Sequence, residues 1–106
     1  MAKHIDISSK ITLEKPTVAF CGKSYEVNNG KNTMLLLQQY MEEDGHGDVD
    51  RLSHTLEMLL GKAAAKELDA LDLPLDDLKT VYLAVMAAAT GADFEETEAR
   101  FQQSQR

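Results

Sequence analysis

Tryptophan is absent, and cysteine occurs once, at Cys21. One thiol excludes an intramolecular disulfide framework, so this chain of 106 residues must fold by packing and hydrogen bonding alone. Long apolar runs are also missing. The most apolar stretch, residues 81–89, is far shorter than the roughly 20 residues that cross a bilayer as a helix. The first ten residues hold no apolar block, so no secretory leader is expected. Positive charge is scarce: 11 Lys and Arg stand against 18 Asp and Glu, a net charge of −7. Non-specific binding to nucleic acid or to an anionic membrane needs the opposite sign, so neither is expected as a partner. A soluble, cytoplasmic, single domain is the expectation for the whole of residues 1–106.

The charge that is present is unevenly placed. Residues 1–31 carry five lysines and three acids; residues 32–106 carry six bases and fifteen acids, a net charge of −9. Composition changes at the same boundary. The leader is rich in Ile, Thr, Val and Ser, which favour strands. The acidic body is rich in Ala, Leu, Met and Glu, which favour helices. The predicted fold is therefore α+β and mostly α, with an N-terminal β-hairpin followed by a bundle of about four to five short helices.

Alternating Val18 and Phe20, then Tyr25 and Val27, predict a hairpin over 17–27 with Cys21-Gly22 as its two-residue turn. Ile5 and Ile7, or Ile11 and Leu13, are candidates for a third strand, interrupted from the hairpin by Pro16. A first helix is expected from an Asn32 or Thr33 cap to about Glu43, with Met34, Leu37, Tyr40 and Met41 on one face. A second starts at an Asp48 cap, with Val49, Leu52, Leu56, Leu59 and Ala63 in its stripe. Gly61 predicts a break, followed by a helix burying Ala64, Leu68 and Leu71. Pro74 and Gly91 bracket a long fourth helix. Asp93 with Glu96 resembles a capping box opening a last helix with Phe94, Thr97 and Phe101 in one stripe, and a polar end that frays.

The fourth helix is apolar around its whole circumference from residue 81 to 89. Such a helix is either enclosed by the rest of the chain or faces a partner. On the second alternative, Tyr82, Leu83, Ala84, Val85, Met86 and Ala87 contact a partner or a second copy. Leu35, Leu36 and Met41 of the first helix are candidates for the same surface.

Catalytic and metal chemistry find little support in the residues. His46 lies among acids in Glu42–Asp50, but the calcium-loop template fails. Counting from Asp44, Val49 stands at the glycine position and Thr55 at the closing glutamate. Zinc spacings of His or Cys are missing around His4, His46, His54 and Cys21. Ser8, Ser9 and Ser53 have no nucleophile elbow around them, and Gly61-Lys62 lacks the glycines of a phosphate loop. No catalytic residue, metal or cofactor is therefore assigned, and an enzyme is not expected. The acids at 42–50, 67–77 and 93–98 leave one electrostatic alternative open, an acidic inhibitor, antitoxin-like module or DNA mimic that binds a basic protein.

The order of features resembles one known family. A lysine-containing hairpin, Phe20 to Val27, precedes Leu59-Leu60-Gly61-Lys62, then 71–78 (LDLPLDDL), then 81–91 (VYLAVMAAATG), then 94–101 (FEETEARF). This is similar to the tail assembly chaperones of long-tailed bacteriophages and prophages, over about residues 17–101. The resemblance implies a non-catalytic factor acting in the host cell cytoplasm and absent from the mature virion. Its implied partners are the tape measure protein, which it keeps soluble, and the tail tube protein, whose subunits it helps recruit. A shielding face for a client helix needs apolar surface with charged flanks.

Overall fold

The computed structural model describes residues 3–11 and 13–104, with side chains through Arg100. Two strands, β1 (Thr17–Phe20) and β2 (Lys23–Glu26), pair antiparallel in the register Thr17↔Glu26 to Phe20↔Lys23. Cys21 and Gly22 both take positive φ, 52° and 76°, which is what a two-residue hairpin turn of the twist-matched kind requires. Phe20 and Tyr25 stack with ring centroids 4.7 Å apart.

Five helices follow: α1 (Lys31–Glu42), α2 (Asp48–Leu60), α3 (Lys62–Leu71), α4 (Leu75–Thr90) and α5 (Phe94–Ser104). The mostly helical α+β architecture with an N-terminal hairpin is thus the observed one. The punctuation residues act as their chemistry dictates. Gly61, at φ 95°, separates α2 from α3. Gly91 closes α4 in the left-handed region, and the Ala92 amide bonds back to the Ala87 carbonyl at 3.0 Å. Asp93 accepts from the amides of Glu95 and Glu96 at 2.9 and 3.2 Å, capping α5.

Other expectations are corrected. There is no third strand among the described residues. Asp6 accepts from the Ser8 amide at 3.0 Å and hydroxyl at 2.6 Å, and this local competition turns the leader into a short 3-10 helix over Ser8–Lys10. Helix α1 starts with Gly30, not Asn32 or Thr33, at its N-cap, and Thr33 instead accepts from Asn28 Nδ2 at 2.9 Å. Asp48 lies inside the first turn of α2, where its charge suits the macrodipole, with Gly47 at the cap. Pro74 likewise occupies the cap position before α4 rather than its first turn. Ala63 belongs to α3 and is exposed, and Leu71 is also exposed. The expected fraying of the last residues and the place of Phe101 in its stripe lie outside the described residues and side chains.

The core forms where α2, α4 and the hairpin meet. Val27, Leu59 and Val85 are fully buried at its centre, joined by Leu37, Leu56, Leu68 and Val81. The Asn28 amide donates to the Leu59 carbonyl at 2.7 Å, so the strand exit and the end of α2 are tied by backbone as well as by side chains. Helix α4 packs on α2, β1 and α5, and α2 packs also on α1 and α3. Leu83 and Ala87 are buried outside the central cluster. The chain itself therefore encloses most of the all-round apolar helix.

At the surface, Lys23 Nζ pairs with Glu67 Oε1, bracing β2 against α3. The same carboxylate lies against the Tyr25 hydroxyl. The lysine hydrogen bond, and then that of Tyr25, hold Glu67 below the usual carboxylate range. The Glu67 hydrogen bond holds Lys23 above the usual lysine range. A lowered Glu67 contributes stability above its unfolded pKa and loses it as pH falls through the folded one.

Two outcomes are expected. Ala87→Glu buries an unpaired carboxylate and should abolish cooperative folding, measured by circular dichroism on heating. Glu67→Gln should lower the melting temperature at neutral pH, with the gap to wild type closing as the pH drops through the titration of Glu67.

Candidate functional site

Three helix ends define an apolar cleft. The last turn of α1, the first turns of α2 and the N-terminal half of α4 converge on a volume of about 420 Å³. Its apolar wall is Met41, Val49, Leu52, Leu75 and Tyr82; Asp48, Arg51 and Lys79 supply charge at its border. This falls in the range of small binding clefts, roughly 300–1,000 Å³. Leu52 is buried, Met41 and Tyr82 are half-buried, and Val49 and Leu75 are 52% and 45% exposed. Burial raises the Tyr82 phenol above its ordinary pKa, so it stays a neutral hydroxyl on an apolar wall.

The exposed apolar rim has a simple local origin. Val49 and Leu75 sit in the first turns of their helices, one residue and none past the start, beyond the reach of the central cluster. The first turns of the two helices also hold acids, Asp48 and Asp50 on α2 and Asp76 and Asp77 on α4, and of these Asp48 lines the cleft. The charged side chains that line the cleft are nonetheless one acid and two bases, Asp48 against Arg51 and Lys79.

The α1–α2 connection is held by an aromatic stack. The Tyr40 ring lies between His46 and His54, with centroid distances of 4.2 and 4.0 Å and interplanar angles of 28° and 27°. Tyr40 Oη donates to the Asp50 carbonyl at 3.4 Å, and Arg51 Nη2 donates to the Glu43 carbonyl at 3.3 Å. His46 Nε2 lies 3.3 Å from Glu43 Oε2. These contacts fix the end of α1 against the start of α2 and so set the width of the cleft. The two imidazoles lie on opposite faces of the phenol, and no group of three or more His, Cys, Asp or Glu that could hold a metal occurs among the described residues. No described helix is long and apolar enough to cross a membrane.

The nine residues named from sequence divide sharply. Met41 and Tyr82 meet in the cleft. Leu35 and Leu36 are exposed on α1, at 48% and 58%, and do not line it. Ala84 and Met86 are half-buried. Leu83, Val85 and Ala87 are enclosed, with 6%, 0% and 4% exposure, and so are not available to a partner in this conformation. The correction has a geometric cause: an apolar circumference does not say which side a neighbouring helix covers. Sequence reasoning missed Val49 and Leu75 as surface residues. No local signal could have found them, since both belong to apolar stripes and their exposure depends on where the neighbouring helices stop.

No protein family, curated protein or solved structure matches the chain.

Tyr40→Ala removes both ring stacks and the bond to Asp50. Each aromatic pair is worth about 0.5–1.5 kcal/mol beyond its buried area, so a loss of roughly 1–3 kcal/mol is expected in urea unfolding.

Proposed function

We propose that this protein is a non-catalytic phage tail assembly chaperone whose cleft between α1, α2 and α4 shields an apolar stripe of the tape measure protein. The observation that carries the reading is the cleft itself. It offers an apolar wall from Met41, Val49, Leu52, Leu75 and Tyr82, bordered by the charged side chains of Asp48, Arg51 and Lys79. A helix laid into such a groove buries its aliphatic stripe and leaves its polar face to water. The chaperone keeps its client soluble because the rest of its own surface is charged, with a net −7 on the chain. Recruitment of tail tube subunits belongs to the same reading through the resemblance over residues 17–101. Action in the host cytoplasm, without incorporation into the virion, belongs to it as well.

The acid-rich stretch 42–50 favours a second reading, an acidic module that blocks a basic protein. The two differ in their response to salt. Binding through surface charge weakens steeply as ionic strength rises, whereas apolar contact persists.

Co-expression with the cognate tape measure protein tests the chaperone. The client should partition into the soluble fraction with the wild type and aggregate with Val49→Asp or Leu75→Asp, whose exposed positions leave the fold intact. A client equally soluble without this chain would sink the proposal.

A further inference from the structure

The wall of the α1–α2–α4 cleft is apolar, but three of the side chains that line it are hydrogen-bond donors. They are Arg51 on α2, and Lys79 and Tyr82 on α4. Lys79 and Tyr82 are three residues apart and so share one face of their helix. All three side chains are half-buried.

These donors are short of acceptors. Among the described residues, the Lys79 ammonium and the Tyr82 hydroxyl make no hydrogen bond or ion pair. The Arg51 guanidinium donates once, from Nη2 to the Glu43 carbonyl at 3.3 Å, and its Nε is buried without a partner. A half-buried cation gives up hydration that only an acceptor returns. Burial also removes screening water, so the charge acts more strongly on whatever enters the cleft. Tyr82 adds a neutral donor, because burial keeps its phenol protonated.

The carboxylate in the lining does not supply the missing acceptor. Asp48 is exposed, and it forms no ion pair with Arg51 or Lys79. The other first-turn acids, Asp50, Asp76 and Asp77, are exposed and do not line the cleft. Two bases against one acid leave a single positive charge in the lining. The complement is one negative charge, rather than the nearly two of a phosphate ester. Its body must be apolar, because Met41, Leu52 and Leu75 supply the wall. A carboxylate on an aliphatic chain meets both conditions. The volume of about 420 Å³ is that of a small-molecule site, and an apolar wall with a few convergent polar groups is the usual composition of one.

We propose that the cleft is a binding site for a small aliphatic monocarboxylate. Its carboxylate accepts from Arg51, Lys79 and the Tyr82 hydroxyl, and its chain lies on Met41, Leu52 and Leu75. The inference goes beyond the chaperone reading and stands on the donors of the cleft, without any assumption about a phage client.

Titration of the full chain with octanoate, octanol and octylammonium, followed by backbone amide chemical shifts, tests it. Octanoate should bind with shifts centred on residues 48–52 and 75–82. It should bind roughly tenfold more tightly than octanol, the value of a hydrogen bond to a charged group. Octylammonium should bind no more tightly than octanol. Lys79→Gln and Tyr82→Phe should each weaken octanoate and leave octanol unchanged, with the helical signal of the wild type. Asp48→Asn, at an exposed position, should strengthen octanoate by removing the like charge. Equal affinity for octanoate and octanol would overturn the proposal, as would a preference for octylammonium. So would octanoate shifts centred elsewhere, an affinity indifferent to both Lys79→Gln and Asp48→Asn, or no binding of octanoate at millimolar concentration.

Discussion

Everything in this fold answers to the need to cover α4. Nine consecutive residues of that helix, 81–89, carry no charge, and no single neighbour can hide a whole circumference. Helix α2 and strand β1 pack against it together with α5, and α3 and α1 are placed by packing on α2 or by the loops that join them. The central contact of Val27, Leu59 and Val85 has no access to water. The Asn28–Leu59 backbone bond keeps the hairpin exit registered against the end of α2 at that point. Burying aliphatic surface of this kind contributes roughly 1.5–3 kcal/mol per fully covered side chain, which makes it the largest favourable contribution to folding here.

Coverage of α4 stops at its N-terminal end, and the cleft begins there. Helices α1 and α2 approach with their ends rather than their sides, so Leu75 and Tyr82 keep part of their surface free. The His46–Tyr40–His54 stack holds the two helix ends apart at a fixed spacing. Two buried polar atoms find no hydrogen-bond partner among the described residues and remain costly: Arg51 Nε, and the hydroxyl of the fully buried Thr55. The site and the core are therefore parts of one arrangement, the site being the margin at which core packing runs out.

Most element boundaries were legible in the chain because they depend on local chemistry. Cys21-Gly22, Gly61 and Gly91 act through backbone conformations available within a few residues, and Asp93 caps through its own side chain. Where local signals competed, reading them one at a time misplaced the outcome. Asn32, Thr33 and Asp48 are all good caps by type, yet glycines occupy both cap positions. The leader's alternating aliphatics read as a strand, but the Asp6–Ser8 turn and Pro16 interrupt it. Of the site, Met41 and Tyr82 were visible as apolar residues at helical spacing. Val49 and Leu75 were not, because exposure depends on where the neighbouring helices stop.

The sequence by itself determined an acidic, mostly helical α+β chain, its hairpin, its helix breaks, and a fourth helix that must be covered. These follow from composition, periodicity and backbone preference, which act over a few residues. Only the tertiary structure decided which sides of α4 are covered. It turned Leu83, Val85 and Ala87 into packing, left Val49 and Leu75 at the surface, and left Ile5, Ile7, Ile11 and Leu13 of the leader exposed. The physical reason is that burial is a property of neighbours. Side chains of the same type along one helix differ only in what the rest of the chain brings against them.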